Sequence, residues 1–170
     1  MRIDTVKYQV YKFNELSKEA KEKAVQDYYE YEDFSFLQDD LTESCKSLLE
    51  QYKIKFNNDL QLSYSLSYCQ GDGLNFTGNF EWKKYHIKIA HSSWQYLFAS
   101  ASDITIMNKE GEEIINEKIE KQFKNLYINI CKELEKEGYG IIGYRMTDKE
   151  FSDLCEANNW EFLKDGKIYN

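Results

Sequence analysis

Asp72 stands between two glycines in Gln70-Gly71-Asp72-Gly73, an arrangement suited to bringing a carboxylate against a ligand. Glycine has no Cβ to hold a ligand off and reaches backbone angles that other residues resist, so the acid can approach a substrate or a metal without steric hindrance. Gln70, Asp72 and Asn75, with the polar face of the flanking strands, therefore form a candidate catalytic or ligand site. The plainer reading is a hairpin turn whose aspartate bonds its own backbone. On that reading Gly71 or Gly73 takes a positive φ, and replacing Asp72 by alanine costs little. A calcium loop of the EF-hand kind needs several oxygen ligands at set spacings, and Asp72 stands without them.

The other chemistry-bearing residues are spaced against cooperation. His86 and His91 are five apart on an expected strand, so they point to opposite faces and cannot share a metal or a substrate. His91-Ser92-Ser93 matches one half of a paired His-x-Ser/Thr phosphodiesterase signature, but His86-Ile87-Lys88 does not supply the other. Cys45, Cys69, Cys131 and Cys155 include no C-x-x-C pair. That spacing argues against a zinc cage or a stapled secreted scaffold, and for free buried thiols in a reducing cytosol. A Cys/His nucleophile pair stays open on spacing alone, though no cysteine lies in a recognisable activating context. Phosphate-cradling and dinucleotide glycine motifs are absent. No metal and no cofactor is expected.

A different kind of signal lies in residues 27–43, which carry seven acids and no base. Asp27, Glu30, Glu32, Asp33, Asp39, Asp40 and Glu43 are interleaved with Tyr28, Tyr29, Tyr31, Phe34 and Phe36. Such a run is read in two ways. It can be a solvated helix-turn-helix surface. It can also be a partner site, in which the seven acids steer the protein onto a basic surface while Tyr29 and Phe36 supply anchors.

The elements that must position these residues follow from periodicity. Leu60, Leu62, Tyr64, Leu66 and Tyr68 alternate with polar residues, and Leu74, Phe76, Phe80 and Trp82 resume the alternation after the glycine turn. This predicts an antiparallel hairpin, extended into a meander by strands at Tyr85–Ala90 and Trp94–Ile106. Ile3 to Phe13 reads as an earlier strand. Ser17 is a candidate N-cap for a helix with Ala20, Ala24, Tyr28 and Tyr31 on one stripe. Phe34, Leu37, Leu41, Cys45, Leu48 and Tyr52 mark a second helix, and Asn57-Asn58-Asp59 a turn. A long helix is expected from Glu112 to Glu137, stopped by Gly138 and Gly140. Thr147-Asp148-Lys149-Glu150 opens a short helix as a capping box. Trp160 to Leu163 and Lys167 to Tyr169 flank Asp165-Gly166 as a small terminal hairpin. The expected fold is α+β, a mainly antiparallel meander of about four to six strands with helices packed on one face. Residues 1–170 are expected to form a single domain, long enough for a sizeable core.

Composition narrows the function classes. Thirty acids against 22 bases give a net charge of -8, which opposes binding to a phosphate backbone, so no direct nucleic-acid contact is expected. Fourteen Tyr, ten Phe and three Trp are the main apolar resource in a chain whose mean hydropathy is -0.72. The absence of proline argues against flexible Pro-rich linkers. With neither a leader pattern nor an apolar run of membrane-spanning length, the expected location is the cytosol, away from membranes.

Three segments together resemble a group of small proteins encoded by phages and prophages, commonly labelled antitoxins of toxin–antitoxin stability systems. Residues 11–24, with Phe13-Asn14-Glu15-Leu16-Ser17-Lys18-Glu19-Ala20, look like that family's opening strand and its F-x-E-L-S-x-E-A-K-x-K-A helix. Residues 68–78 are similar to its S-Q-G-D-G-x-x-F-x-G hairpin, with Cys69 where serine is common. Residues 156–167, with Glu156-Ala157-Asn158 and Asp165-Gly166-Lys167, look like its closing E-A-N-x-x-E-F-x-x-D-G-K. The resemblance spans nearly the whole chain in the same order and supplies no catalytic residue. It implies an accessory protein of a mobile element, a class rich in inhibitors of host defence nucleases and of toxins. Lysine, asparagine and isoleucine usage points to a low-GC bacterial host. The expected function is therefore an acidic inhibitor of the anti-CRISPR or antitoxin type that occupies a basic surface on a nuclease, a CRISPR effector or a toxin. The alternative is an enzyme or ligand-binding domain with its site at Gln70 to Gly73.

Overall fold

The computed structural model describes residues 7–30, 34, 37–92 and 97–169. The helices are α1 (Lys18–Tyr29), α2 (Leu37–Gln51), α3 (Glu117–Arg145) and α4 (Asp148–Ala157), and the strands are β1 (Ile54–Phe56), β2 (Gln61–Ser65), β3 (Gly73–Trp82), β4 (Tyr85–Ala90), β5 (Asp103–Met107), β6 (Glu161–Phe162) and β7 (Ile168–Tyr169). The fold is α+β, and no helix among the described residues is long and apolar enough to cross a membrane. The chain divides into two compact units, Met1–Phe34 with Ile141–Asn170, and Ser35–Gly140.

In the first unit, α1 starts where Ser17 Oγ accepts the Ala20 N–H at 3.3 Å, and α4 where Thr147 Oγ1 accepts the Glu150 N–H at 3.4 Å. Each hydroxyl satisfies a donor that the first turn leaves over. Phe13, Leu16, Ala20, Ala24, Val25, Phe151, Cys155 and Phe162 form the core. The Phe13 and Phe151 rings meet edge to face at 5.0 Å. The terminal hairpin pairs Phe162 with Ile168, and Gly166 turns it at φ +88. The strand expected over Ile3 to Phe13 is not formed over residues 7–13. There Tyr11 alone bridges Phe162, because Phe13 enters a 3-10 turn that buries its ring. Residues 1–6 lie outside the described set.

In the second unit, the ten-residue β3 is the centre of a five-stranded antiparallel sheet. β2 pairs its first half, from Ser65 opposite Gly73 to Gln61 opposite Thr77, and β1 pairs its second half. β4 lies along the opposite edge of β3 and β5 beyond β4. Leu74, Phe76, Phe80, Trp82, Ile87, Ile89 and Ile106 are buried on one face. On that face Phe76 packs on Tyr127 at 4.8 Å and Trp82 on Phe123 at 5.2 Å, so α3 covers it.

Several sequence expectations are corrected here. β1 is a three-residue strand that the alternation pattern is too short to reveal. Of the strand expected over Trp94–Ile106, residues 94–96 lie outside the described set; after them a 3-10 turn forms at Ala99–Ala101 and strand pairing starts at Asp103. The hairpin loop is longer than a glycine turn, with residues 66–72 between the paired Ser65 and Gly73. Neither Gly71 nor Gly73 takes a positive φ, and Tyr68 does so instead at +57. Gly73 is required for a different reason. A Cβ there would lie 2.9 Å from both the carbonyl carbon and oxygen of Leu97, whereas Gly71 has room for one. α3 starts later than expected because residues 113–114 pair with β5, the Ile114 N–H reaching Ile106 O at 2.8 Å. It also runs through Gly138 and Gly140 to Arg145. Gly138 does not end the helix because it is a packing position, where a Cβ would collide with the Leu66 side chain and touch Leu41.

Candidate functional site

The acidic stretch is shared between the two units. In the first, Asp27, Tyr28 and Glu30 at the end of α1 line an open groove of about 640 Å³ with Gly166, Lys167 and Ile168 of the terminal hairpin. Asp27 and Glu30 are exposed, and Asp27 pairs with Lys23 one turn back at 2.5 Å. Tyr29 is not an outward anchor. Its ring packs on Tyr28 at 4.9 Å and on Phe34 at 5.5 Å, and its hydroxyl donates to Arg145 O at 2.8 Å. In the second unit, Asp39, Asp40 and Glu43 are exposed on α2. Asp39 and Asp40 stand in its first turn, where carboxylates complement the positive end of the helix dipole. Glu43 pairs with Lys46 at 2.6 Å, whereas Glu30, Asp39 and Asp40 form no ion pair among the described residues. Glu32, Asp33 and Phe36 lie outside the described residues.

The second candidate set is built differently from its sequence reading. Asp72 is buried, at 8% exposure, and faces inward rather than toward a ligand. Its carboxylate accepts from Ser65 Oγ at 3.3 Å, from the Cys69 N–H at 3.1 Å, from the Cys69 thiol at 3.2 Å and from the Tyr139 hydroxyl of α3. Burial opposes its charge. The donors outweigh burial, with Tyr139 the strongest, and hold the carboxyl well below the usual carboxylate range. Tyr139 is pushed upward in turn, by burial first and by the Asp72 bond second. Asn75 is also buried, at 1% exposure, and donates to Leu97 O at 3.2 Å. It lines a polar groove of about 700 Å³ with Gln38, Gln61, Ser63, Thr77 and His91. Gln70 is exposed in the loop and does not line that groove. The structure therefore separates Asn75 from the Asp72 cluster with which the sequence groups it.

One cluster that sequence spacing did not reveal lies beside that groove. His91 Nδ1 is 3.1 Å from Ser102 Oγ, and Ser102 Oγ is 2.8 Å from the Tyr127 hydroxyl, which donates to Phe76 O at 3.1 Å. With the Tyr127 hydroxyl donating to the Phe76 carbonyl, all three bonds are made when Ser102 donates to Tyr127 and accepts from His91 Nδ1, so the cluster ties the start of β5 to α3 and to the end of β4. His86 is exposed on the far face of β4, opposite Glu81, so the two histidines do not share a site. Among the described residues no three His, Cys, Asp or Glu side chains converge to hold a metal.

All four cysteines are free. Cys45, Cys131 and Cys155 are buried, and Cys69 is exposed, which departs from the expectation of four buried thiols. Burial pushes Cys45 and Cys155 up to about 12. A thiol reagent should therefore modify one cysteine per native chain quickly and the other three only on unfolding, with Cys69→Ser removing the fast phase. More than one fast thiol would contradict this placement.

Comparison with family models, with curated proteins and with solved structures finds no match to this chain.

Proposed function

We propose that the chain is a phage or mobile-element accessory protein that works by binding, an acidic inhibitor of the antitoxin or anti-CRISPR type in the bacterial cytosol. Its partner is a basic effector, either a nuclease, a CRISPR effector or a toxin, whose nucleic-acid-binding surface it occupies. The supporting observation is that the described carboxylates of residues 27–43 all face solvent, and that Glu30, Asp39 and Asp40 are not spent on ion pairs among the described residues. Exposed carboxylates of this kind act mainly on encounter, through a field screened over about 8–10 Å at physiological salt.

The test begins with capture of the partner from a low-GC host lysate, followed by binding kinetics of charge-reversal variants. Glu30→Lys and the pair Asp39→Lys, Asp40→Lys should each slow association by about tenfold at low salt and flatten its salt dependence. The α2 pair should also lose some helix stability, because it reverses charge at the dipole's positive end. Unchanged association rates would reduce the stretch to a solvated surface. A second reading, a small polar ligand, is favoured only by the groove around Asn75, where amide, hydroxyl and imidazole groups stand beside Leu62 and Leu97. Tyr29→Ala should destabilise the first unit rather than selectively speed dissociation, since its ring and hydroxyl are already engaged.

A further inference from the structure

Loop 66–72 holds an unusual residue. Tyr68 adopts φ +57, a left-handed conformation that side chains other than glycine rarely take, and it is 67% exposed. A strained backbone that displays a large aromatic ring is held there by its surroundings. The Tyr68 ring lies against that of Tyr139 with centroids 4.8 Å apart and planes tilted by 40°. The Tyr139 hydroxyl is fixed on Asp72, which also collects Ser65 and both Cys69 donors, so the loop and the ring pair are positioned by one carboxylate.

Among the described residues no cation pairs with that carboxylate. Its partners are neutral donors. Glu135 lies one turn before Tyr139 on α3, forms no ion pair among the described residues, and acts electrostatically on the same ring. Two tyrosine rings backed by two carboxylates present negative π faces and a negative field to solvent. This is the environment that attracts a planar, weakly hydrated cation.

We propose that the Tyr68–Tyr139 pair is a docking point for an arginine side chain of the protein partner, its guanidinium stacked on Tyr68 and drawn by the Asp72 and Glu135 carboxylates. This deepens the reading of the chain as a binder of basic surfaces and rests on it, adding the side chain it grips and a contact outside residues 27–43.

The test uses the full chain and a blocked Gly-Arg-Gly tripeptide, followed by amide chemical shifts, so it needs no partner. Saturating shifts are expected at Tyr68, Cys69 and Tyr139 in the millimolar range, corresponding to about -3 to -4 kcal/mol. The same peptide with citrulline, which keeps the planar group and loses the charge, should bind at least about tenfold more weakly. Tyr68→Ala should weaken arginine binding by a similar factor while leaving distant shifts in place, and Tyr68→Phe should keep it within about twofold. Equal binding of citrulline, unchanged binding by Tyr68→Ala, or no shift at the loop with arginine would each overturn the proposal. Those outcomes would leave the capture of a basic partner through residues 27–43 untouched, and failure to capture any partner would leave the arginine titration untouched.

Discussion

Gly166→Ala is expected to destabilise the unit formed by residues 1–34 and 141–170 by about 3 kcal/mol or more, a larger effect than any surface change in this chain. Gly166 turns the terminal hairpin at φ +88, where an L side chain is strained by roughly 1–2 kcal/mol. A Cβ there would also be driven into the backbone carbonyl of Ala20, whose carbon would be only 3.1 Å away. Ala20 lies inside α1 and is itself buried in the core, so the collision is with backbone that cannot rotate aside. The strain and the overlap therefore add, and relief requires the hairpin to lift off α1. Hydrogen exchange separates this from a global effect, because amides of α1 and α4 should lose protection while those of β3 and β4 keep it. Gly140→Ala is the control. It sits in α3 with open space around its Cβ and should stabilise the chain by about 0.5–1 kcal/mol through helix propensity. Equal protection of α1 in Gly166→Ala and the native protein would show that the close approach is not a constraint.

The hairpin at Gly166 was legible in the sequence because its signal is local. Asp165-Gly166 between two short apolar runs is a turn whatever surrounds it, just as Ser17 and Thr147 are caps by virtue of the residues three positions on. The alternation that predicts β2 and β3 is equally local, and so is the surface character of Asp39, Asp40 and Glu43. What the sequence could not show is where local signals are overruled by distant neighbours. Gly138 has the same identity whether it ends a helix or makes room for Leu66, and only the packing distinguishes the two. Gly73 reads as a turn residue, yet its role is to let the Leu97 backbone approach. Tyr29 reads as a free anchor until its hydroxyl is seen on the carbonyl of Arg145, 116 residues away. Asp72 is the clearest case, since the residue that turns it from an exposed candidate catalyst into a buried tie is Tyr139, 67 positions later.

Asp72→Ala is accordingly expected to cost about 3 kcal/mol, not the small amount that a solvent-facing turn residue would. The substitution removes a buried acceptor shared by Ser65, Cys69 and Tyr139 and leaves the half-buried Ser65 and Tyr139 hydroxyls without it. Asp72→Asn should fall between the two, because its amide keeps one acceptor and turns donors against the Cys69 N–H. The pH dependence identifies the cause. Asp72 binds a proton less readily in the folded chain than in the unfolded one, so the unfolded state takes up more protons as the solution is acidified. The stabilisation is fully present above the unfolded value of about 4 and is lost as pH falls through the lowered folded value. Tyr139 gives the opposite limb, since its raised value means that the stabilisation is present below about pH 10 and is lost at higher pH. Denaturant unfolding of the native protein should therefore weaken below about pH 4, and Asp72→Asn should lack that component of the slope. Tyr139→Phe keeps the ring and removes the hydroxyl. Combined with Asp72→Asn it should cost less than the two single changes added, by about 1 kcal/mol, because both remove the same bond. Strict additivity, or an Asp72→Ala variant as stable as the native protein, would return Asp72 to the role of a free carboxylate.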